Sequence, residues 1–329
     1  MKEDIFRILL HNRGKFVSGE EISGKLGVSR TAVWKYIRQL REEGCRIESV
    51  SNRGYCLAEV PDRLDEVLLR SHLATQVIGQ VMELHHSIGS TNARAKELAQ
   101  SGAVHGTLVA AEEQVSGRGR LGRSWVSPPG MGIWMSLVLR PPFPPPSAPR
   151  ITILAAMAVA DAINRVTGLK AGIKWPNDII VHSRKVCGIL TEIQADPDVI
   201  EYVAVGIGVN ANTPKDGFPE EISRSATSLF IESGSKVDRN LLLADILGSF
   251  EEYYNRYVKT GDFTELLMEY KKRCITLNRR VRVFGRTEEF EGAAVDLTED
   301  CALIVRLDDG TFRTVLSGDV SVRGVAGYV

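Results

Sequence analysis

The segment from Gly117 to Arg123, which reads GRGRLGR and is closely followed by Trp125, combines glycines and arginines in a way that suits anion binding. Glycine lets the backbone bend closely around a ligand. The forked guanidinium of arginine donates paired hydrogen bonds to carboxylates and phosphates. The segment does not end in a lysine followed by serine or threonine, so it is not a P-loop. It predicts a loop that holds an anionic, reactive intermediate and keeps water away from it.

Two other interpretations of this segment are an arginine- and glycine-rich tail that binds nucleic acid and a merely flexible basic loop. Tails of that kind lie in polar, disordered stretches. Here the segment lies between two apolar runs, 107–111 and 133–139, which are typical of buried strands. A basic loop between two core strands is more often a ligand-binding loop, so the sequence favours that interpretation.

The composition of the chain indicates an ordinary globular protein. Its 329 residues are enough for two or three domains. Basic and acidic residues are balanced at 41 each, so the net charge carries no information about nucleic acid. The amino terminus, MKEDIFRILLHNRG, predicts a helix and not a signal peptide. No apolar run approaches the roughly 20 residues that span a bilayer, so we expect a cytoplasmic protein with no membrane partner.

The cysteines and histidines predict neither a metal centre nor a nucleophile. The five cysteines are scattered and form no CxxC pair, which favours reduced thiols and disfavours a structural zinc site. The six histidines lack a metal-binding spacing such as HExxH. His85 and His86 are adjacent on a predicted strand and would point to opposite faces, so we interpret both as structural.

Residues 1–62 show the order of a winged helix-turn-helix domain. A first helix repeats apolar residues at helical spacing, and Ser18 with Glu21 forms a capping box that begins a second helix. Ser29 is placed to cap a third helix. Two short extended segments within 46–57, joined by a turn of hairpin composition, follow as the wing.

The third helix of this domain carries basic residues and no acidic residue before Glu42. The amino-terminal end of a recognition helix meets base edges, and its lysines and arginines meet phosphates. A solvated helix face is the alternative interpretation, but the complete winged-helix order favours DNA binding. The predicted DNA-binding residues are Ser29, Arg30, Thr31, Trp34, Lys35 and Arg38 on the helix and Arg53 at the hairpin tip.

The rest of the chain predicts an α+β fold in two further domains. Residues 63–272 alternate helices with Val- and Ile-rich strands, which favours a mixed sheet with helices on one face. One of these strands is predicted at 173–181. Residues 273–329 contain short strands separated by turns and predict a small β-barrel.

Several motifs follow one another along the central domain. They are Ser90-Thr91-Asn92, QVSGRGRLGRSW at 114–125, KWPND at 174–178, Lys185 followed by VCGILTE, GIGVN at 206–210 and ATSL at 226–229. In this combination the chain resembles the biotin–protein ligases over essentially its whole length. With the winged helix and the small barrel, it resembles the bifunctional type, in which the ligase is also the repressor of the biotin operon. The resemblance implies a catalytic domain like that of the class II aminoacyl-tRNA synthetases and an SH3-like barrel.

The resemblance also implies a two-step reaction. Biotin and MgATP form biotinyl-5′-AMP and pyrophosphate, and one lysine of a biotin carboxyl carrier protein then attacks the mixed anhydride. Lys185 matches the lysine that contacts the carboxylate and the α-phosphate region. Asp178, with Asn177 beside it, would orient the attacking lysine or Mg²⁺, and the sequence does not separate these roles. The residues implied as catalytic are Lys185, Arg118, Arg120 and Asp178, whose arginines would neutralise charge in the adenylation transition state.

Two overlapping sets of binding residues follow from the same resemblance. Ser90, Thr91 and Gln114 match positions that bind the ureido group of biotin, and the two hydroxyl residues are also suited to cap a helix. The family often has an arginine at Leu121, and its absence removes one cation without an expected loss of activity. The implied biotin-binding residues are Ser90, Thr91, Asn92, Gln114, Gly117, Arg118, Arg120, Lys185, Gly188, Gly206 and Gly208. The implied ATP- and adenylate-binding residues are Arg118, Arg120, Arg123, Trp125, Asn177, Lys185, Asn210 and Arg323.

The implied partners are the carrier domain of a biotin-dependent carboxylase, operator DNA and a second copy of the chain, in a dimer promoted by biotinyl-5′-AMP. Three other hypotheses stay open: a ligase whose N-terminal domain is not a regulated repressor, a transcription factor that only senses biotin, and a lipoate-type ligase. The arginine loop, Lys185 and Asp178 disfavour a pure sensor, which needs no adenylation cations. The GRGRLGR and KWPND motifs favour biotin over lipoate.

Overall fold

The computed structural model describes residues 1–285, 289–317 and 321–324, with the backbone alone for Ser321 and Arg323. The chain separates into two compact units, Met1–Ser71 and His72–Val329. The first unit contains the predicted winged helix-turn-helix, and the second contains the predicted mixed sheet followed by a small all-β region.

The first unit has its helices and hairpin in the predicted order. They are α1 (Lys2–His11), α2 (Gly19–Leu26), α3 (Arg30–Glu42), β1 (Arg46–Val50) and β2 (Gly54–Glu59), and α4 (Glu66–His72) follows. The Oγ atom of Ser18 accepts a hydrogen bond from the amide of Glu21 (3.0 Å), and Ser29 caps α3 in the same way (3.2 Å). The buried faces of these elements form one apolar core, which stabilises the unit.

The centre of the second unit is a mixed seven-stranded sheet in the order β3-β4-β5-β9-β8-β7-β6. Its strands are β3 (Met82–Ile88), β4 (Thr107–Gln114), β5 (Ile133–Leu139), β6 (Gly172–Lys174), β7 (Asp178–Val181), β8 (Arg184–Ala195) and β9 (Ile200–Val209). Strands β3 and β4 are parallel, and the other neighbours are antiparallel. Every residue of β5 is buried, as the apolar run at 133–139 predicts for a central strand.

Helices pack on both faces of this sheet, so the prediction of helices on one face is wrong. The helices are α5 (Thr91–Gln100), α6 (Ala148–Thr167), α7 (Glu220–Ser223), α8 (Leu229–Ser233), α9 (Arg239–Thr260) and α10 (Thr264–Arg273). Helix α5 packs against Tyr202 and Ala204 of β9. Helix α6 lies on the opposite face. Its Thr152 is hydrogen-bonded to Thr191 (2.8 Å), and Thr191 is paired with Val205, the residue that follows Ala204 on β9. Helix α9 packs on α6. Both faces of β9 are largely apolar, so both need cover.

The predicted strand at 173–181 is also wrong, because this segment is a hairpin. Strands β6 and β7 pair antiparallel with Lys174 opposite Asp178, and the turn contains a cis peptide bond between Trp175 and Pro176. Proline has a fixed φ and no amide hydrogen, so it does not continue a strand ladder. The hairpin brings the two ends of the KWPND motif together.

The last part of the second unit is an antiparallel sheet of short strands, which confirms the predicted small all-β region. In the order β13-β12-β11-β10-β14, its strands are β10 (Arg279–Phe284), β11 (Glu289–Leu297), β12 (Leu303–Arg306), β13 (Phe312–Val315) and β14 (Ser321–Gly324). Side-chain contacts that include Trp175 and Lys271 join it to the central part. The Trp175 indole donates to the carbonyl of Cys301 (2.9 Å), and Lys271 is ion-paired with Asp296 (2.6 Å).

The cysteines are all buried and free. Burial raises the pKa of the Cys187 thiol, so this cysteine beside the site is a poor nucleophile at neutral pH. In the described ranges, no three His, Cys, Asp or Glu side chains are grouped to hold a metal ion. None of the helices described there is both long and apolar enough to cross a membrane.

Candidate active site

A cavity of about 630 Å³ lies where α5, the GRGRLGR loop, the KWPND hairpin and strands β8 and β9 meet. This volume is in the range of small-molecule sites. The predicted site residues that line it are Ser90, Thr91, Asn92, Gln114, Arg118, Arg120, Arg123, Trp125, Asn177, Asp178, Lys185, Gly188, Gly206, Gly208 and Asn210. Gly117 does not line it; its carbonyl accepts the amide of Trp125 (2.9 Å). The side chain of Arg323 lies outside the described residues.

One part of the wall is a hydrogen-bonded set of uncharged polar groups. The Oε1 atom of Gln114 accepts from the amide and the hydroxyl of Thr91 (2.8 and 3.0 Å). Its Nε2 donates to Ser127 (3.0 Å). The hydroxyl of Ser136, fully buried on β5, lies 2.8 Å from the side-chain oxygens of both Thr91 and Asn92. Such neutral donors and acceptors suit a neutral polar group such as an amide or a urea.

Ser90 and Asn92 are fixed by contacts with the protein. Ser90 caps α5, its Oγ accepting the amide three residues later (3.5 Å). The Nδ2 atom of Asn92 donates to the Leu190 carbonyl (3.3 Å) and to Glu192 (2.7 Å). A Cβ at Gly206 would lie 2.7 Å from the Oδ1 of Asn92, so only glycine leaves space for this side chain. Asn92 therefore shapes the wall, with its amide group already hydrogen-bonded.

Trp125 lies against the glycines of β8 and β9. A Cβ at Gly208 would lie 2.5 Å from its Nε1, and one at Gly188 would lie 3.0 Å from its Cζ3. The Nζ of Lys185 is 5.2 Å from the ring centre. The indole Nε1 is buried and, within the described parts of the chain, has no hydrogen-bond partner. The cavity wall therefore offers an aromatic face and a buried donor.

Lys185 and Asp178 form an ion pair at the junction of β7 and β8. The Nζ of Lys185 is 2.6 Å from Oδ1 of Asp178, and both side chains are mostly buried. The backbone of Lys185 is held between the Ser225 carbonyl (2.8 Å) and the Thr227 amide (2.9 Å). Partial burial strengthens such charge interactions, so an anion bound beside Lys185 would compete with Asp178 for its ammonium group.

The arginines of the GRGRLGR loop differ in their surroundings. The two nitrogens of the Arg120 guanidinium donate to Oδ1 of Asn177 (2.9 Å) and to the carbonyl of Ser317 in the C-terminal sheet region. Burial lowers the pKa of Arg120, but from so high a value that the group stays cationic at neutral pH. Arg118 and Arg123 are exposed. The loop is therefore anchored through one arginine and presents two others to solvent beside the cavity.

The two predicted nucleotide-binding asparagines are both buried and hydrogen-bonded. Asn177 accepts from Arg120 and donates through Nδ2 to the carbonyl of Ile189 (2.7 Å). The Nδ2 of Asn210 donates to the carbonyl of Thr227 (3.1 Å). Both groups of the Asn177 amide are thus used within the protein, and this residue links the loop to β8.

Sequence reasoning missed Glu232, a carboxylate of α8 that supports the segment around Lys185. Its side chain is 5% exposed and lies 2.6 Å from Nδ1 of His182 and 2.5 Å from Arg184. It also accepts the hydroxyl of Thr227, whose amide donates to the carbonyl of Lys185. His182 and Arg184 are 50 and 48 residues away in sequence, so no local pattern indicates this cluster.

Replacing Glu232 by glutamine is expected to lower the free energy of unfolding by about 1–3 kcal/mol at neutral pH. Burial acts to raise the pKa of Glu232, but the hydrogen bonds from Thr227 and His182 and the charge of Arg184 outweigh it. The pKa therefore lies below its ordinary value of 4.5. A lowered pKa stabilises the folded state above pH 4.5, and this contribution is lost as the pH falls through the folded-state pKa.

Urea unfolding of the wild type and the Glu232→Gln variant across pH 3 to 8 measures this difference. The difference in free energy of unfolding between the wild type and the variant should be largest at neutral pH and should disappear in acid. The matched control is Glu201→Gln, because Glu201 is exposed and its carboxylate forms no ion pair with any described residue. A gap that is independent of pH would show that the charge of Glu232 is not what stabilises the segment.

Two further residues of the wall had no predicted role. Lys174, the first residue of KWPND, is buried and lines the cavity. Ser136 is fully buried within an apolar strand run. The signal for each was available, since a lysine and a serine in otherwise apolar strands are rarely buried without a partner or a function.

The predicted DNA-binding residues lie on the exposed surface of the first unit. Trp34 is 51% exposed, and the Arg38 guanidinium lies 5.4 Å from its ring centre. Arg53, in the turn between β1 and β2, stacks on Phe16 at 4.2 Å. The exposed members of the predicted set are Ser29, Arg30, Thr31, Trp34, Lys35, Arg38 and Arg53. The hydroxyl of Ser29 is used as a helix cap.

Comparisons with known proteins cover all three parts of the chain. Residues 84–210 match the Biotin/lipoate A/B protein ligase family, 2–56 match the HTH domain, and 276–323 match the Biotin protein ligase C terminal domain. The chain is 41% identical to the bifunctional ligase/repressor BirA of Bacillus spizizenii over 98% of both chains. It is 32% identical to the biotin--[acetyl-CoA-carboxylase] ligase of Mycobacterium tuberculosis, over 79% of this chain and 97% of that protein.

A solved structure shows the same fold in part of the chain. The biotin protein ligase from Aquifex aeolicus, in complex with biotin and ATP, superposes with a TM-score of 0.65 at 27% identity. The match covers 74% of this chain and 99% of that one.

Proposed function

Because the chain belongs to the family of biotin protein ligases, in its bifunctional ligase/repressor branch, we propose that it activates biotin with ATP and transfers it to a lysine of a biotin carboxyl carrier protein. The observation that carries this proposal is the cavity itself. Its wall joins the neutral polar set around Gln114 to the cations Lys185 and Arg120. Such a wall matches a molecule with a urea at one end, which suits the neutral groups, and a carboxylate at the other, which suits the cations.

In the first step, a carboxylate oxygen of biotin attacks the α-phosphorus of ATP and pyrophosphate leaves, which forms the mixed anhydride. We assign the ureido group to Thr91 and Gln114 and the reacting carboxylate and phosphate to Lys185. Negative charge grows on the phosphate oxygens in the transition state, and fixed cations stabilise it most in a partly buried site. Arg118 and Arg123, exposed at the mouth of the cavity, are placed to meet phosphates.

In the second step, the amine of the acceptor lysine attacks the acyl carbon, AMP leaves and an amide bond forms. The amine must lose a proton on the way. We assign this task to Asp178, whose Oδ1 lies 2.6 Å from the Nζ of Lys185. A bound adenylate would draw Lys185 toward its phosphate, and this oxygen of Asp178 would then be free. Asp178 would then accept a hydrogen bond from the incoming ammonium and orient it.

Magnesium fits this site only as a companion of ATP. Within residues 1–285, 289–317 and 321–324, no cluster of three ligating side chains could hold the ion alone. Asp178 and Glu221 are carboxylates that line the cavity and could complete its oxygen coordination beside the phosphates. When bound, Mg²⁺ supplies neutralising charge to the phosphates.

The test incubates the full chain with MgATP, biotin and a biotin carboxyl carrier domain, and follows the acceptor by mass spectrometry. The expected product carries one biotinyl group on one lysine, with biotin-dependent release of pyrophosphate that chelation of Mg²⁺ stops. Lipoate in place of biotin separates the alternative ligase. Pyrophosphate release with lipoate and none with biotin would overturn the proposal.

A Gly208→Ala substitution is expected to weaken the binding of biotinyl-5′-AMP at least about tenfold, an effect of about 1.4 kcal/mol. The added Cβ would lie 2.5 Å from Nε1 of Trp125, and a rigid indole in contact with the sheet must move as a whole. Isothermal titration measures the affinity. Gly248→Ala on α9 is the matched control, because a Cβ there meets nothing within 4 Å and should leave binding unchanged. Equal affinities in the two variants would remove Trp125 from the ligand site.

The first unit adds a second activity to the proposal, ligand-controlled DNA binding by a dimer. One α3 helix covers one half-site, and two half-sites read by a symmetric dimer supply useful specificity. Biotinyl-5′-AMP shifts the chain toward the dimer only if it binds the dimer-competent state more tightly than the other state. Sedimentation and binding to the operator of the biotin genes, with and without biotin plus ATP at fixed salt, test this. Identical operator affinity in both conditions would leave a ligase with an unregulated DNA-binding domain.

The same proposal divides the chain by function. We assign residues 1–62 to DNA binding, 63–272 to catalysis and 273–329 to a supporting barrel, with the reaction in the cytoplasm. The contact between Arg120 and Ser317 supports a role for the last part in the order of the arginine loop.

A further inference from the structure

Glu192 of β8 contacts the polar wall of the cavity from behind. Its Oε2 accepts a hydrogen bond from the Nδ2 of Asn92 (2.7 Å), and its Oε1 is ion-paired with Lys96 of α5 (2.7 Å). Glu192 is paired in register with Ala204, against which α5 packs, so its side chain lies on the α5 face of the sheet. Neither Glu192 nor Lys96 lines the cavity. The half-buried carboxylate therefore reaches the cavity through Asn92.

Glu192 fixes the direction in which the amide of Asn92 points. An asparagine amide has a donating NH2 group and an accepting oxygen, which can exchange places without a change of shape. A carboxylate and a backbone carbonyl can only accept. The Nδ2 of Asn92 meets one of each, Glu192 and the Leu190 carbonyl (3.3 Å), so its Oδ1 points to the other side, toward Ser136. The bond to Glu192 is the shorter one and is assisted by charge, so we expect it to contribute most to this orientation.

The orientation of Asn92 decides how Ser136 and Thr91 use their hydroxyl protons. The Oδ1 of Asn92 can only accept, so the Ser136 hydroxyl donates to it at 2.8 Å. A hydroxyl has one proton, and that of Ser136 is then used. The oxygen of Ser136 lies 2.8 Å from the Oγ1 of Thr91 and is left as an acceptor for the Thr91 proton. Ser136 is fully buried, so it depends on such partners in the protein.

The Thr91 proton has two acceptors within reach, Ser136 and the Oε1 of Gln114 (3.0 Å). When it turns to Ser136, the Oγ1 of Thr91 keeps its lone pairs for a ligand. The Oε1 of Gln114 keeps the backbone amide of Thr91 as a donor (2.8 Å) and has room for one more. Two oxygens of the wall can then each accept an N–H group. A urea carries two N–H groups, so this order of donors and acceptors fits it.

We propose that Glu192 is a positioning residue for biotin, which acts through Asn92 and Ser136 to set the ureido site as a pair of hydrogen-bond acceptors. The inference rests on the proposed function and adds to it a residue that does not touch the substrate. The role needs a group at position 192 that can only accept. A group that also donates would let the amide of Asn92 turn over and reverse the order of donors behind the wall.

The test replaces Glu192 by glutamine, which keeps the size of the side chain. Lys96 only donates, so it draws the oxygen of the new amide and leaves the NH2 group facing Asn92. The KM for biotin should rise at least about tenfold, since a bond to a charged group is lost. The kcat and the KM for ATP should stay at wild-type values, because the reacting groups lie at the other end of the ligand. Pyrophosphate release with a biotin carboxyl carrier domain as acceptor measures all three, and isothermal titration measures the affinity for biotin.

Lys96→Gln is the matched control, because it removes the same ion pair and leaves the carboxylate beside Asn92. Its KM for biotin should equal that of the wild type. The Glu192→Gln/Lys96→Gln double variant should bind biotin more tightly than Glu192→Gln alone, because the glutamine oxygen is then free to accept from Asn92. Equal losses in the two single variants would show that the ion pair is what matters and would overturn the proposal. An unchanged KM in Glu192→Gln would overturn it as well.

Two analogues of biotin test the order of donors and acceptors directly. They are the two cyclic carbamates, in each of which an oxygen replaces one ureido N–H group. The wild type should bind at least one of them about tenfold or more weakly than biotin, because an acceptor of the wall is left without a donor. The Glu192→Gln variant should discriminate less between biotin and that carbamate. The same discrimination in the variant and the wild type would show that Glu192 does not set the acceptors of the wall.

Failure of this inference is distinguishable from failure of the proposed function. If the wild type is active and Glu192→Gln has the same affinity for biotin, the inference alone is wrong. If the wild type binds biotin but releases no pyrophosphate with MgATP, the proposed function is wrong, and the titrations still decide the role of Glu192. A wild type that does not bind biotin overturns both. Circular dichroism and urea unfolding show that each variant is folded, so a loss of affinity is a property of the site.

Discussion

Replacing Lys185 by alanine is expected to slow biotin-dependent pyrophosphate release at least about tenfold. The ammonium of Lys185 lies between Asp178 and the face of Trp125 on the cavity wall, and its backbone is held on both sides. A charge-assisted hydrogen bond is worth about 1.5–3 kcal/mol, which corresponds to roughly 10- to 150-fold in rate. Single-turnover release of pyrophosphate, with biotin and MgATP saturating, measures the adenylation step directly.

The matched control for this substitution is Lys170→Ala, because Lys170 is exposed and does not line the cavity. Lys185→Arg separates charge from shape, and it should recover part of the rate because the cation remains while its geometry changes. Urea unfolding should show that all three variants are folded. Equal rates for Lys185→Ala and wild type would remove Lys185 from the catalytic group.

The parts of the fold that follow from short-range patterns were predictable. Ser18 and Ser29 cap their helices as expected, because a cap depends on residues three positions apart. The apolar run at 133–139 is a fully buried strand for the same local reason. The hairpin at 172–181 was missed because the apolar residues around Trp175 and Pro176 also fit one strand, although the proline argued against it.

The contacts that depend on residues distant in sequence, in the core and around the site, were not predictable. Arg239 is fully buried, and it pairs with Glu112 (2.9 Å), which is 127 residues away. Glu232 and its partners are another such case. No spacing rule connects residues so far apart, because their proximity results from the packing of whole elements. The motifs identified the residues of the cavity, but only the fold shows which of their polar groups are already engaged.

The fold gives Asn177 a structural role that the KWPND motif did not indicate. The motif placed it among the nucleotide-binding residues, and that assignment stays a prediction. In the fold, its amide accepts from Arg120 and donates to Ile189, so its side chain holds the loop arginine against the sheet. With the Ser317 carbonyl on the other nitrogen of the guanidinium, Arg120 is held from both the central part and the C-terminal sheet region.

Replacing Arg120 by glycine is therefore expected to shorten the lifetime of bound biotinyl-5′-AMP by about tenfold or more. The substitution removes hydrogen bonds of a charged group, worth about 1.5–3 kcal/mol, and adds backbone freedom to a loop that already contains three glycines. A loosened loop releases the activated biotin and admits water. The measurements are the fraction of radioactive adenylate retained after rapid gel filtration and the biotinylation of an unrelated bystander protein.

Two variants of the same loop test whether the hydrogen bonds of Arg120 to Asn177 and Ser317 are what retains the adenylate. Arg123→Gly removes an exposed cation of the same loop, and it should slow adenylation while the retained fraction stays at the wild-type level. Arg120→Lys keeps the charge but loses the fork that bridges Asn177 and Ser317, and it should give intermediate retention. If Arg123→Gly released the adenylate as fast as Arg120→Gly, the positive charge of the loop, and not its attachment to the C-terminal sheet region, would be what holds the intermediate.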